Sequence, residues 1–205
     1  MSFAKTFEHN QALFHAALQE FSGAGYEQAS INIILKHAGM SKGQFYYHFK
    51  NKQDLYFALI EILITRKQAF LAGVMQAEDF NQDIFTIFKT QIRHGIAFAK
   101  AHPDIHAFSE SFLREKGNTI YEAVMARFNF ENDAALSQLI ENAYQRGEFQ
   151  EYMPLSFVKK TIGYLFAHAA DLTDLPDDDN AEENLDRLVD FMKTGLARNP
   201  SPSAE

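Results

Sequence analysis

Residues 39–49, Gly-Met-Ser-Lys-Gly-Gln-Phe-Tyr-Tyr-His-Phe, collect hydrogen-bonding and basic side chains at helical spacing. The chemistry they can do is recognition of a duplex. Gln44 can hydrogen-bond a base edge in the major groove. Gly43 has no side chain, so backbone and bases can come close. Tyr46, Tyr47 and His48 can donate to phosphate oxygens, and Lys42 adds positive charge. At about 100° per residue Phe45 and Phe49 fall on one side of a helix, and Gly43, Gln44, Tyr46 and Tyr47 on the other, with Lys42 and His48 flanking the apolar stripe. Surface tyrosines alone would fit an ordinary exposed helix. The glycine turn, the cap described next and the basic flanks favour contact with DNA.

The elements that must position this face are legible around it. Gly39 stands where a helix should end, because glycine adopts the left-handed C-cap without penalty. Ser41 and Gln44 then form a Ser-x-x-Gln capping box, so one helix stops and the next starts within about three residues, as a helix-turn-helix requires. Upstream, Ser30 is an N-cap candidate for a short helix with Ile31, Ile34, Leu35 and Ala38 on its apolar side. Phe7, Leu13, Phe14, Ala17, Leu18 and Phe21 mark an amphipathic first helix ending near Ser22, followed by the turn Gly23-Ala24-Gly25. Downstream, Asn51 caps a further helix with Asp54 at its third position. Leu55, Leu59, Ile62 and Leu63 continue its buried face. Lys52 lies in its first turn, where a lysine opposes the helix dipole and a docked phosphate would explain it.

With those residues in place, residues 5–60 resemble the DNA-binding domain of the TetR family of bacterial regulators. The likeness rests on the Phe21–Tyr26 turn, on Ser30 to Ala38, and above all on Gly-Met-Ser-Lys-Gly-Gln-Phe-Tyr-Tyr-His-Phe-Lys-Asn-Lys-Gln-Asp-Leu. It covers about the first third of the chain. The resemblance implies an all-α protein, with a three-helix helix-turn-helix domain over residues 1–60 and a helical effector-binding and dimerisation domain over 61–205. It implies a homodimer on a palindromic operator, released by a small molecule. Carried over as DNA contacts are Ser30, Lys42, Gly43, Gln44, Tyr46, Tyr47, His48 and Lys52. Gln44 occupies a position that varies within the family and so bears on which operator is read.

Composition agrees. A chain of 205 residues with 46% hydrophobic content can bury a sizeable core in one or two domains. It has no cysteine, so nothing requires an oxidising compartment. The first twenty residues lack a signal peptide's continuous apolar core, and no run of 18 apolar residues suggests a membrane span, so the chain reads as cytoplasmic. The net charge of −8 is unevenly placed: residues 1–60 carry five lysines against three glutamates and one aspartate, and the acidic excess lies beyond them. Only the N-terminal part suits a polyanion, and modest, salt-sensitive non-specific affinity is expected. No strand pattern or internal repeat is found.

Turn signals divide the remainder into about five helices: from Gln82 to Ala101, on to Glu115, from Thr119 to Arg146 with a kink near Asn129 to Asp133, from Pro154 to Leu172, and from Ala181 to Arg198. The last two read as an association surface. One carries Leu185, Leu188, Val189, Met192 and Leu196. The other carries Leu155, Val158, Ile162, Leu165, Phe166 and Ala169, with small Gly163 and Ala167 allowing close approach. An intramolecular core fits the pattern as well, and the family resemblance tips the balance to a dimer. The acidic segment Asp171 to Glu183 reads as a solvated loop, and residues 199–205 as a frayed tail.

The chain has 20 phenylalanines, eight tyrosines and no tryptophan. Core packing explains most of them. Collectively Phe85, Phe88, Ile92, Phe108, Phe112, Phe128, Tyr144 and Phe166 can line an apolar cavity for a hydrophobic or aromatic effector, with Arg93, His94, Tyr144 and His168 as polar anchors. His102, His106 and Glu110 share metal-ligand spacing, but Pro103 puts His102 outside the helix, and surface histidines are the better reading; no metal or other cofactor is expected. No Gly-x-Ser-x-Gly, His-Glu-x-x-His or phosphate-binding Gly-x-x-x-x-Gly-Lys is present, so an enzyme is not expected. The alternative kept open is a helical adaptor that binds another protein through the same fold. The intact outward face of residues 42–48 argues against it.

Overall fold

The computed structural model describes residues 10–173 and 180–198. Phe7, the core of the acidic segment at 174–179 and the tail at 199–205 lie outside the described residues. The helices are α1 (Gln11–Gln28), α2 (Ile31–Ala38), α3 (Lys42–His48), α4 (Lys52–Val74), α5 (Ile84–Ala101), α6 (Pro103–Arg114), α7 (Thr119–Phe128), α8 (Ala134–Gln145), α9 (Leu155–Ala167), α10 (Ala169–Leu172) and α11 (Ala181–Leu196). Short 3-10 turns occupy Ala77–Asn81 and Phe130–Asn132. The protein is all-α. The described residues hold a single antiparallel bridge, Phe149 to Ala197, and no strand.

Two compact units form. The first comprises residues 1–73 and 97–127, the second 74–96 and 128–205. Residue 60 falls inside α4, so the first unit reaches past the helix-turn-helix and takes in α6 and most of α7.

In the first unit α1 packs against α2 and α6. Leu13, Phe14, Ala17, Leu18 and Phe21 of α1 are buried, as their spacing predicts. The helix runs on through Gly23 and breaks only at Gly25, whose φ of 70° is left-handed. That conformation suits glycine alone without strain. The α4 residues Leu55, Leu59, Ile62 and Leu63 are buried, as expected.

In the second unit the core joins Ile84, Phe85 and Phe88 of α5, Ile140 and Ala143 of α8, Val158 and Ile162 of α9, and Leu188, Val189, Met192 and Leu196 of α11. The stripe on α11 that reads as an association surface is therefore spent inside the chain. Gly163 is likewise used within the chain: a Cβ there would stand far inside van der Waals contact of the Glu131 carbonyl oxygen, so the turn Phe130–Asn132 lies directly on α9. The kink expected in the helix after Thr119 is a full break, with Asn129 at φ 47° and Asp133 capping α8 through Leu136 N–H at 2.8 Å. A second break at His168 separates α9 from α10.

Candidate nucleic-acid interface

The turn between α2 and α3 is built from local hydrogen bonds. Gly39 has φ 62°, ψ 28°, and the next amide, Met40 N–H, reaches back to the Leu35 carbonyl at 3.0 Å. This closes the last turn of α2 in the manner of a left-handed C-cap. Ser41 then starts α3. Its hydroxyl accepts from Gln44 N–H at 3.2 Å, and the Gln44 side-chain oxygen accepts from Ser41 N–H at 2.9 Å. Both halves of the capping box are present.

This short helix is anchored by two aromatics. Phe45 and Phe49 are buried, their rings 5.4 Å apart and nearly parallel. Everything between them faces out. Lys42, Gly43, Gln44 and His48 are exposed, and Tyr46 and Tyr47 are 61% and 82% exposed. Large aromatic surface held in water at this level is unusual for a packed monomer face and fits a docking surface. The structure thus leaves six of the eight candidate contacts exposed on one helix, around its buried Phe45 side.

The other two candidates stand on neighbouring elements. Ser30 is at the N-cap of α2, where its hydroxyl makes no cap bond and its N–H donates to Glu20 Oε1 at 2.9 Å. Lys52 begins α4. Its ammonium has three N–H donors, and it donates to the carbonyls of Tyr26 (2.6 Å), Glu27 (2.9 Å) and Ala29 (3.2 Å). It also lies 4.6 Å from the centre of the Tyr26 ring. Lys52 is therefore a clamp on the turn that leads into α2.

Sequence reasoning missed the opposite jaw of that clamp. Glu115, just past the end of α6, is buried. One of its oxygens accepts from Tyr26 N–H at 2.6 Å and the other from the Asn118 amide at 2.7 Å. Ser111 Oγ, also buried, donates to the Phe21 carbonyl at 3.0 Å. The turn at Gly25 is so held by a cation on its carbonyls and by a carboxylate on an amide. Gly25 leaves room for that carboxylate, since a Cβ would lie 3.0 Å from Glu115 Oε1. The Tyr56 ring closes the group, 4.8 Å from Phe21 and 5.0 Å from Tyr26. Burial pushes its phenol well above the ordinary value, and the charge of Glu115 and the neighbouring Tyr26 add to the rise. Tyr26 is raised too, by burial first and then by Glu27. Partners 89 and 90 residues apart leave no periodic trace, and the one available signal was an acidic residue directly before the Lys116-Gly117-Asn118 turn.

The aromatic residues expected to line an effector cavity are divided. Phe85, Phe88, Ile92, Tyr144 and Phe166 belong to the core of the second unit, with Phe166 edge-on to Phe88 at 4.9 Å. Phe128 stacks on Phe130 at 5.9 Å. Phe108 and Phe112 belong to the first unit, against Tyr56 (5.3 Å) and Tyr121 (5.0 Å) respectively. Tyr144 spends its hydroxyl on the Met153 carbonyl at 2.9 Å. Arg93 donates to Thr90 at 3.1 Å, and His168 stands between Glu131 (3.2 Å) and Asp171 (3.5 Å). A cleft of about 220 Å³ is found elsewhere, bounded by Asn132, Asp133, Leu136, Ser137, Ser156 and Lys160 among others, and includes none of the eight.

A capped two-helix corner with a buried Phe pair and an outward Lys-Gly-Gln-Tyr-Tyr-His face defines a helix-turn-helix DNA-binding protein. Residues 13–59 match the model of bacterial regulatory proteins, tetR family. Over those residues the chain carries the helix-turn-helix domain of the tetR family of bacterial regulatory proteins. It is 26% identical over 193 residues, 91% of this chain and 94% of the other, to the uncharacterised HTH-type transcriptional regulator YvdT of Bacillus subtilis. The fold is shared with a TetR family transcriptional regulator from Chloroflexus aurantiacus (TM-score 0.61, 22% identity, 94% of each chain). It is shared too with the transcriptional regulator FadR of Bacillus subtilis, solved in complex with stearoyl-CoA (TM-score 0.64, 17% identity, 90% of this chain and 98% of that one). No helix among the described residues is long and apolar enough to cross a membrane.

Proposed function

We propose that this regulator is a cytoplasmic repressor that binds a palindromic operator as a homodimer and is released by a small hydrophobic ligand. It has no catalytic step of its own. Residues 1–60 carry DNA binding, and residues 61–205 carry effector binding and dimerisation. The observation that carries the reading is α3, with Phe45 and Phe49 buried and Tyr46 and Tyr47 held in water. Lys42, Tyr46, Tyr47 and His48 meet phosphates, Gln44 and Gly43 face base edges, and Ser30 offers its hydroxyl to the backbone. Lys52 contributes charge while it holds the turn.

Two recognition helices related by a twofold axis are what a palindrome requires. The apolar stripe of α11 is buried within the chain, so the dimer surface on the last two long helices must use their outer faces. Phe157 and Tyr164 of α9, seven residues apart and so on one face, are 51% and 53% exposed, and Phe191 of α11 is 69% exposed. Association of a second copy over these rings buries them. For the effector, the aromatic core around Phe88, Ile92, Tyr144 and Phe166 supports an apolar ligand, and a fold neighbour solved with stearoyl-CoA agrees with that class. Release is a population shift: the ligand must bind the DNA-incompetent state more tightly than the competent one.

Selection of bound sequences from a random duplex pool, at stated salt, tests the reading. The expected result is a palindromic motif with half-sites one or more helical turns apart. Replacing Tyr46 and Tyr47 together by alanine abolishes enrichment and leaves the dimer intact. An unenriched pool at low salt, with no co-purified ligand detected by mass analysis, would overturn it in favour of a protein-binding adaptor.

A further inference from the structure

The capping box restricts what Gln44 can say to a base. Ser41 N–H is a donor, so the atom facing it at 2.9 Å must be the amide oxygen of Gln44. The NH2 half of the amide is thereby the half turned outward, on the exposed third residue of α3. A glutamine that recognises adenine does so with both halves, the oxygen accepting from N6 and the NH2 donating to N7. Here the oxygen is already engaged. Turning it to a base would leave Ser41 N–H without its side-chain acceptor and give up half of the capping box of a helix only seven residues long.

We propose that Gln44 acts as a donor only and selects a base that offers acceptors in the major groove, guanine first and thymine second. Guanine presents N7 and O6 side by side with no competing donor, and thymine presents O4. Adenine offers a single acceptor beside a donor, and cytosine a donor alone. This inference rests on the reading of α3 as the recognition helix and adds to it the class of base that its variable residue specifies. Gly43 beside it keeps the approach open, and the fixed amide orientation means that no rotamer has to be chosen on binding.

The test is pool selection with the wild-type chain, Gln44→Ala and Gln44→Glu, followed by affinities on single operators at fixed salt. The position read by Gln44 is the one, repeated in both half-sites, whose preference disappears in Gln44→Ala. Wild type is expected to prefer guanine there by about tenfold over adenine, and replacing it with 7-deazaguanine should weaken binding. Gln44→Glu keeps an oxygen on Ser41 N–H, so its thermal midpoint should match wild type, while its outward group becomes an acceptor. Its preference should move to cytosine. The proposal is overturned if wild type prefers adenine at this position and loses affinity when the adenine N6 amine is deleted, because that contact needs the oxygen. It is also overturned if Gln44→Glu selects the same base as wild type. Should wild type enrich no motif at all, the DNA-binding reading falls first and takes this inference with it, an outcome distinct from a motif with the wrong base.

Discussion

The two compact units hold their helices by different means. In the first, the turn that orients the helix-turn-helix is fixed by buried or half-buried polar groups, with Lys52 on three carbonyls and Glu115 on the Tyr26 amide. In the second, a phenylalanine-rich core and a close backbone approach at Gly163 do the work. Hydrogen bonds to charged groups are directional and costly to leave unmade. Apolar packing is non-directional and can rearrange at lower cost while volume is conserved. The contrast suits the proposed roles: a surface that would meet DNA in one geometry, and a core that would rearrange around an apolar ligand. Variants should separate the two, with apolar changes in the second unit acting on stability and effector response, and polar changes in the first acting on operator affinity.

Phe88→Ala is expected to have the largest effect. The ring is 1% exposed and sits edge-on to Phe166. Removing a buried aromatic costs about 4 kcal/mol, read as a drop in the urea unfolding midpoint of the second unit. An apolar ligand that fills the space should restore part of the loss. No destabilisation would mean that the ring lines a void rather than filling a core.

Gly163→Ala comes next. The methyl group cannot be placed without moving the Glu131 carbonyl off α9. Overpacking of this kind costs about 2–3 kcal/mol, again in the second unit. Dimer formation separates two uses of this glycine. If it serves only the intrachain contact, the variant weakens folding and leaves the dimer dissociation constant of the folded protein unchanged. If self-association weakens far more than folding, the partner subunit also needs that approach.

Glu115→Ala probes the other side of the comparison. It strips the acceptors from Tyr26 N–H and the Asn118 amide in a buried setting. The expected destabilisation is about 2 kcal/mol. Because the lost contact holds the entry to α2, operator affinity should fall further than the loss of folded protein accounts for, measured by titration of the folded fraction. Glu115→Gln retains one acceptor and should recover part of both. A purely stability-related effect, with affinity per folded molecule intact, would show that the polar clamp does not orient the recognition helix.

These expectations also show where the sequence was readable. The corner of the helix-turn-helix was legible in detail because its bonds close within three to five residues: Gly39 after Leu35, Ser41 with Gln44, Phe45 with Phe49. Such rings leave a fixed spacing of residue types. Asn129 and Asp133 marked a break for the same reason. Lys52 stands in the first turn of α4, as the cap at Asn51 predicts, but its partners lie 23 to 26 residues away, and spacing says nothing of them. Glu115 was still less visible. In the second unit the periodicity of Leu188, Val189, Met192 and Leu196 correctly announced a buried face. Burial by the same chain and burial by a second copy require the same pattern, so the pattern alone favoured neither. The same ambiguity divides the phenylalanines, because a ring that lines a cavity and a ring that fills a core are equally apolar.

The smallest expected effect is a pH dependence confined to the first unit. Tyr26 and Tyr56 both have phenols raised above the usual value by burial, with Glu27 acting on the first and Glu115 on the second. In the unfolded chain these phenols ionise near pH 10. A folded-state value above the unfolded one means that the native state holds the neutral form more tightly. The stabilisation is therefore complete below about pH 10 and declines as pH rises past it toward the folded values. The thermal midpoint of the wild type should fall as pH is raised from 9 to 11. Tyr56→Phe removes one titrating group and keeps the ring against Phe21 and Tyr26, so its midpoint should fall less over the same range. An equal fall in both proteins would place the alkaline sensitivity elsewhere, and with it the view that the phenol buried beside Glu115 is part of what fixes the helix-turn-helix.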